Sequence, residues 1–244
     1  MTRLLLLCIL TFSFSCGGTQ TQEKKKSEVK EVPQSAPSSQ KLDPSKGEFW
    51  NKAYDKEVFV FGIKPNVFLK EQLKDLEAGK ILLPGEGEGR NAVFAAKLGW
   101  KVDAYDLSSV GKEKADKLAL KHGTSINYWV GDFTKPNLEK EQYDVVAVVF
   151  LHVPIDLMKK GIQKSYEALK PGGRLIVEVF AEGNEKIAKF GPKSTEVLYT
   201  VAEMKEVLAL SNWAKISILE EKDISLDEGF HQGKAKVIRL VAQK

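Results

Sequence analysis

From Phe49 to the carboxyl terminus, the apolar residues change their spacing at regular intervals. Residues 68–76 set Phe68, Leu69, Leu73 and Leu76 at helical spacing. Residues 80–83 are a short apolar strand stopped by Pro84-Gly85. A helix follows over 91–98 with Gly99 as its stop, then a strand over 101–105, a helix over 110–121 and a strand over 126–130. Residues 143–151 are almost wholly apolar and valine-rich, the strongest strand in the chain. A helix over 157–169 leads through Pro171-Gly172-Gly173 into a strand over 174–180. The last elements are a helix over 201–210 and strands over 215–220 and 236–242. Repeated strand–helix units with continuously apolar central strands predict an α/β fold: a doubly wound, mostly parallel seven-stranded sheet with helices on both faces. Ligands of such sheets bind beyond the carboxyl ends of the strands, which directs attention to the residues there.

The first 46 residues follow neither period. Arg3 precedes an unbroken apolar run from Leu4 to Leu10, extended by Phe12 and Phe14. That length suits a signal peptide over 1–15 and is too short to span a bilayer. Ser13-Phe14-Ser15-Cys16-Gly17-Gly18 resembles a bacterial lipobox, which implies cleavage before Cys16 and acylation of that residue. Residues 16–46 are rich in Gln, Lys, Ser, Pro and Glu and cannot bury enough apolar surface to offset chain entropy; they are expected to be a disordered tether reaching roughly 30 Å. The expected location is lipid-anchored to a bacterial membrane on the periplasmic or cell-surface side, or cytoplasmic if the signal is not processed.

Composition refines this picture in two ways. Of 37 basic and 33 acidic residues, seven and four fall within 1–46, so the domain over 47–244 is nearly neutral and gives no electrostatic case for a nucleic-acid partner. Both cysteines, Cys8 and Cys16, lie in the leader, and His122, His152 and His231 have no metal-pair spacing, so no metal site is expected. A monomer acting on a small molecule is expected.

The chemistry clusters at strand ends. Gly85-Glu86-Gly87-Glu88-Gly89-Arg90 sits between the first strand and its helix, where alternate glycines allow a tight turn and close approach of a ligand. The amides that open the next helix suit an anionic group. Asp106 ends the second strand, 21 residues after Gly85, where a carboxylate accepts hydrogen bonds from ribose hydroxyls. Gly131-Asp132-Phe133 ends the third strand. Taken singly, Asp106 reads equally as a helix cap, Gly131-Asp132 as a turn and Phe133 as core. An NAD site would need a third glycine where Arg90 stands.

From about Phe49 onward the sequence resembles the class I S-adenosylmethionine-dependent methyltransferases, closest to the group of tellurite-resistance and thiopurine methyltransferases. The stretches that carry the resemblance are Trp50 to Tyr54, Phe61 to Asn66, Gly85 to Val93, Tyr143 to His152, Leu169 to Gly173 and Glu228 to Lys234. The resemblance implies that Gly85 to Gly89 hold the methionine part of S-adenosyl-L-methionine, Asp106 the ribose, and Asp132 with Phe133 the adenine. It extends cofactor contact to Glu86, Glu88, Arg90, Leu107, Gly131 and Phe150. Where the family often carries an acid, two positions before the first glycine, this chain has Leu83; Glu86 or Glu88 is the candidate substitute.

Methyl transfer from a sulfonium mainly needs alignment and exclusion of water, with a base only for a protonated acceptor. His152, at the end of the fourth strand, is either that base, a structural histidine or an adenine-side contact. Trp50, Tyr54 and Phe61 are either an aromatic lid or the packing face of an N-terminal helix. His231 and Gln232 either line the acceptor pocket or occupy a surface turn. Residues 181–200 lie where substrate-covering insertions occur. The expected function is methyl transfer to a small soft nucleophile, a thiol or a chalcogen oxyanion; the alternative is a non-catalytic lipoprotein binding a nucleoside-like ligand on the same fold. The leader makes its own prediction: cells expressing the chain incorporate labelled palmitate into it, and Cys16→Ala abolishes the label. Label retained in that variant contradicts the lipobox.

Overall fold

The computed structural model describes residues 43–244. The expected signal peptide, Cys16 and most of the expected tether lie outside the described residues. Helix α1 (Gly47–Tyr54) comes first, followed by α2 (Val67–Leu73). Five strands and three helices follow: β1 (Lys80–Pro84), α3 (Arg90–Lys97), β2 (Lys101–Asp106), α4 (Ser109–Lys121), β3 (Asn127–Val130), β4 (Tyr143–Val149), α5 (Ile155–Ala168) and β5 (Leu169–Phe180). A short helix α6 (Asn184–Ile187) and a 3-10 turn (Thr195–Val197) precede α7 (Val201–Ala209), β6 (Lys215–Glu228) and β7 (His231–Gln243).

The strands form one seven-stranded sheet in the order β3-β2-β1-β4-β5-β7-β6. The first five are parallel, and β7 inserts antiparallel between β5 and β6. β1 therefore sits where the strand order reverses, and the crevice between β1 and β4 opens beside the glycine-rich loop. The doubly wound fold expected from the sequence is the fold observed.

Each face of the sheet has its own core. One packs Leu82, Val146 and Val148 against Met158, Ile162, Met204 and Leu208 of α5 and α7. The other packs Ile81, Leu83 and Val145 against Phe68, Leu69 and Leu73 of α2, Ala92 and Ala95 of α3, and Ala115 of α4. Caps fix where helices start. The Asn66 side chain accepts from the Leu69 amide and that of Ser108 from Gly111, while Thr200 and Glu203 form a reciprocal capping box on α7.

One buried polar group crosses the second core. Glu178 of β5 accepts from Arg239 Nε of β7 at 2.6 Å and from Asn66 Nδ2 at 2.6 Å. The Asn66 amide in turn donates to Asn91 Oδ1. This links α2, α3, β5 and β7 through buried hydrogen bonds. Removing one member of such a buried pair typically costs about 3–5 kcal/mol.

Three expected boundaries change. β4 stops at Val149, two residues early, because Phe150 takes a positive φ of 51° and turns the chain. Leu169 already pairs with Tyr143, so β5 begins before the Pro171-Gly172-Gly173 irregularity. The final hairpin is far longer than its apolar segments suggested. Residues 221–228 and 231–235 pair through the backbone, and Lys236 bridges to Glu221, so edge strand β6 is held by ladder hydrogen bonds more than by apolar burial.

Packing on the first face yields a prediction. A Cβ on Gly161 of α5 would lie 2.0 Å from Phe133 Cε1. Gly161→Ala gains about 1 kcal/mol of helix propensity, but displacing the ring outweighs it. The variant should lose about 1–2 kcal/mol net, read as a lower urea midpoint at unchanged slope.

Candidate active site

The loop Gly85–Gly89 joins β1 to α3 and is gripped on every side. The Gly87 amide donates to Asp106 Oδ2 at 3.1 Å, and the Gly87 carbonyl accepts the Tyr128 hydroxyl at 2.7 Å. Gly87 has φ +62°, and a Cβ there would sit 2.7 Å from the Tyr54 hydroxyl. Gly89, at φ +87°, caps α3, and a Cβ on it would sit 2.4 Å from that of Ala115 on α4. Only glycine satisfies both conditions at these two positions.

Glu86 folds back under this loop. Its Oε1 accepts the amides of Asn91 at 2.7 Å and Ala92 at 2.8 Å, and its Oε2 accepts Asn91 Nδ2 at 3.2 Å. The carboxylate thus serves orphan donors at the positive end of α3. Burial nonetheless dominates and raises its pKa to about 7, against the lowering effect of those donors. Glu88 has a different task. Its Oε2 accepts the Val60 amide at 2.7 Å and that of Phe61 at 3.3 Å, and it forms an ion pair with Lys114 of α4. Lys114 also donates to the carbonyls of Tyr54, Lys56 and Val58. Glu88 and Lys114 together pin segment 54–61 across the loop.

Asp106, at the end of β2, is buried, with Oδ1 accepting the Ser108 amide at 2.8 Å and Oδ2 accepting that of Gly87. Burial raises its pKa to about 6. Each oxygen retains acceptor capacity. Leu107 follows; its carbonyl lies 2.5 Å from where a Gly47 Cβ would stand, so α1 rests directly on this strand end. Asn51 of α1 receives the Ser108 hydroxyl at 2.7 Å.

Aromatic rings run from α1 over the carboxyl edge. Trp50 stacks on Tyr54 at 5.7 Å, Tyr54 meets Phe61 edge-on at 6.2 Å, and Phe61 lies 4.6 Å from His231. His231 also touches Phe150, Phe180 and Phe190 at 5.2–5.4 Å. His152 stacks on Phe180 at 5.2 Å with an interplanar angle of 10°. Burial lowers the pKa of His152 to about 4 and of His231 to about 3, so both rings are neutral at physiological pH. Burial also holds the Tyr54 phenol well above its usual range, with Asp106 and Glu88 adding to the effect. Arg90, at the first position of α3, donates to the Phe61 carbonyl at 3.1 Å, and burial lowers its pKa.

The structure therefore brings together Gly85, Gly87, Gly89, Asp106 and Leu107 at one strand edge, with Tyr54, Phe61, Phe150, His152 and His231 over it. Gly131 adjoins them through its amide, which donates to the Asp106 carbonyl. Other candidates turn elsewhere. The Phe133 ring packs into the core beneath Gly161, because α5 has a gap of ring size there. Asp132 is exposed and closes a local turn onto Thr134. Gln232 is exposed and donates to the Gly229 carbonyl within the hairpin turn. Trp50 is half-buried and bonded through Nε1 to the Pro44 carbonyl. Glu86 and Glu88 direct their carboxylates at backbone amides of the protein. Tyr128, Lys114 and Asn184 are parts of the site that pattern reading missed. Tyr128 reads as an ordinary strand residue and Lys114 as one of several solvated lysines, and Asn184 falls in the 181–200 segment with nothing in the sequence to single it out.

Residues 81–173 match a family profile described as a methyltransferase domain. Phosphoethanolamine N-methyltransferase 2 of Caenorhabditis elegans is 25% identical over 182 residues, covering 68% of this chain and 41% of that protein. The mitochondrial 2-methoxy-6-polyprenyl-1,4-benzoquinol methylase of Rattus norvegicus is 25% identical over 140 residues, 52% of this chain and 41% of that protein. The chain thus spans about two fifths of the length of these curated relatives. TehB of Haemophilus influenzae superposes with a TM-score of 0.60 at 18% identity, covering 81% of this chain and 66% of that one. A structure concerned with conversion of a disulfide bond into a thioacetal group during echinomycin biosynthesis superposes with a TM-score of 0.67 at 16% identity, covering 81% and 91%. These likenesses establish the fold.

The buried Glu86 makes a pH prediction. Its pKa rises from about 4.5 unfolded to about 7 folded, so the folded state holds more protons between those values. Its favourable share of stability is full below pH 4.5 and is lost as pH rises through 7. In Glu86→Gln this contribution is absent. The stability difference between variant and wild type should therefore shift in favour of the variant from pH 5 to pH 8, measured by urea denaturation at each pH; a pH-independent difference contradicts the assignment.

Proposed function

We propose that this chain, whose residues 81–173 match a methyltransferase domain profile, transfers the methyl group of S-adenosylmethionine to a small soft nucleophile of the thiol or chalcogen oxyanion class. The observation that carries the reading is the pairing of Asp106 with Gly87 where β1 and β2 end side by side. Glycines whose Cβ would meet neighbours make a cradle with no room for side chains, and beside it a desolvated carboxylate keeps lone pairs free. Both features fit an adenosyl group: the carboxylate for the ribose hydroxyls, the bare loop for close approach of the backbone.

When bound, S-adenosylmethionine supplies an activated methyl on a sulfonium. The residues of this chain bind, orient and shield. Rings of Tyr54, Phe61 and Phe150 provide π faces that favour a cationic centre and exclude water. Glu88 and Lys114 hold the segment bearing Tyr54 and Phe61 in place. His152 donates through Nδ1 to the Val197 carbonyl, which leaves Nε2 as a bare lone pair able to take a proton from a protonated acceptor. The leader around Cys16 supports placing this domain at a membrane surface through a lipid.

The reading is tested by calorimetry with S-adenosylhomocysteine followed by assays of methyl transfer to a panel of thiols and to selenite. Asp106→Ala, checked for retained folding by circular dichroism, should weaken S-adenosylhomocysteine by about tenfold or more, as expected for loss of a charge-assisted hydrogen-bonding group. Unchanged affinity in that variant would remove Asp106 from the site and with it the proposed binding mode.

A further inference from the structure

Three buried polar atoms around Phe180 have no partner among the described residues: His152 Nε2, His231 Nδ1 and Asn184 Nδ2. Leaving such groups unpaired is costly, so three around one ring need an explanation. The rings of His152 and His231 lie 5.2 Å and 5.4 Å from that of Phe180, one stacked and one edge-on. Asn184 reaches the same ring from α6: the point where a Gly191 Cβ would sit is 2.8 Å from Phe180 Cε2 and 3.3 Å from Asn184 Nδ2.

The hydrogen-bonding sense of two of these atoms is fixed by their neighbours. The Val197 carbonyl can only accept, so His152 Nδ1 carries the proton and Nε2 is an acceptor. Asn184 Oδ1 accepts the Lys236 amide at 3.0 Å, so Nδ2 is the free donor. His231 Nδ1 takes either role with its tautomer. Arg90, a cation whose charge acts on His231, is already bonded to the Phe61 carbonyl. An anion has no hydrogen to give His152 Nε2 and would leave that acceptor unpaired.

We propose that His152, His231 and Asn184 form a recognition subsite for an uncharged planar group presenting a hydrogen-bond donor beside an acceptor, of the amide or lactam class, packed among the rings around Phe180. The inference rests on the methyl-transfer reading, in which this subsite holds part of the acceptor substrate. It narrows that reading to a neutral acceptor and makes a free oxyanion the poorer ligand. A group with a donor for His152 Nε2 and an acceptor for Asn184 Nδ2 complements the two fixed atoms, and its flat faces suit the Phe150, Phe180 and Phe190 rings.

The test is calorimetric titration of the full chain with 2-pyridone, benzoate and S-adenosylhomocysteine in separate arms, with the histidine Cε1–H resonances followed by NMR. Binding of 2-pyridone is expected, with benzoate weaker by about tenfold or more. The His152 and His231 resonances should shift while that of exposed His122 stays in place. His152→Phe keeps a ring on Phe180 and removes the acceptor; Asn184→Asp keeps an oxygen for the Lys236 amide and removes the donor. Each should weaken 2-pyridone by about tenfold or more and leave S-adenosylhomocysteine within about twofold. Benzoate binding as tightly as 2-pyridone, or both variants binding 2-pyridone like the wild type, overturns the subsite. Retained 2-pyridone binding with no binding of S-adenosylhomocysteine instead sinks the methyl-transfer reading and leaves the subsite standing.

Discussion

A carboxylate turned back beneath its own loop anchors the working end of this protein. Glu86 gives its oxygens to the first free amides of α3 and so joins the end of β1 to the start of that helix with almost no intervening chain. The loop can then be only as wide as its glycines allow, and Gly87 is held by Asp106 on one side and Tyr128 on the other. The usual electrostatic logic of a helix N-terminus receiving an exogenous anion is altered here. Part of that positive end is already occupied by a side chain, one whose burial brings its pKa to about 7. Ligand recognition at this edge accordingly leans on Asp106 and on close approach to bare backbone.

The second organising feature is the row of rings from Trp50 to His152. It joins α1, the residues after β4 and β5, and the turn of the β6–β7 hairpin into one aromatic wall. Segment 54–61 belongs to this wall through Tyr54 and Phe61 and is clasped by Lys114 and Glu88 from below. The Glu88–Lys114 pair is buried, and Glu88 Oε2 and Lys114 Nζ also bond backbone groups, so the pair helps to specify the geometry of the segment it holds. The same burial keeps both histidines neutral, so this wall offers lone pairs and π faces in place of positive charge.

Behind the wall, Glu178 plays the part for the sheet that Glu86 plays for the loop. Its pairing with Arg239 and Asn66 ties the antiparallel strand β7 and helix α2 to the centre of the sheet. Asn66 passes the connection to Asn91, which also contacts Glu86. A continuous line of hydrogen bonds therefore runs from β7 to the glycine loop, so the position of the hairpin carrying His231 and the position of the cradle are set by one network.

Read alone, the sequence determined the layered fold, because helix and strand periods in the apolar residues of 68–180 report burial on each element's own face, a local property. It also marked the glycine loop and Asp106, since a turn that needs positive φ and a carboxylate at a strand end leave signatures a few residues long. The tertiary structure alone decided what those signatures serve. Glu86 and Glu88 are adjacent-but-one in sequence, yet one caps α3 and the other holds residues 60 and 61; Phe133 points into the core because Gly161, 28 positions later, leaves room for its ring. The length of the β6–β7 hairpin and the convergence of Asn184, His152 and His231 on Phe180 were equally hidden. Backbone pairing at an exposed edge leaves little trace in side-chain pattern, and contacts between residues far apart in the chain are fixed only when the sheet brings its strand ends together.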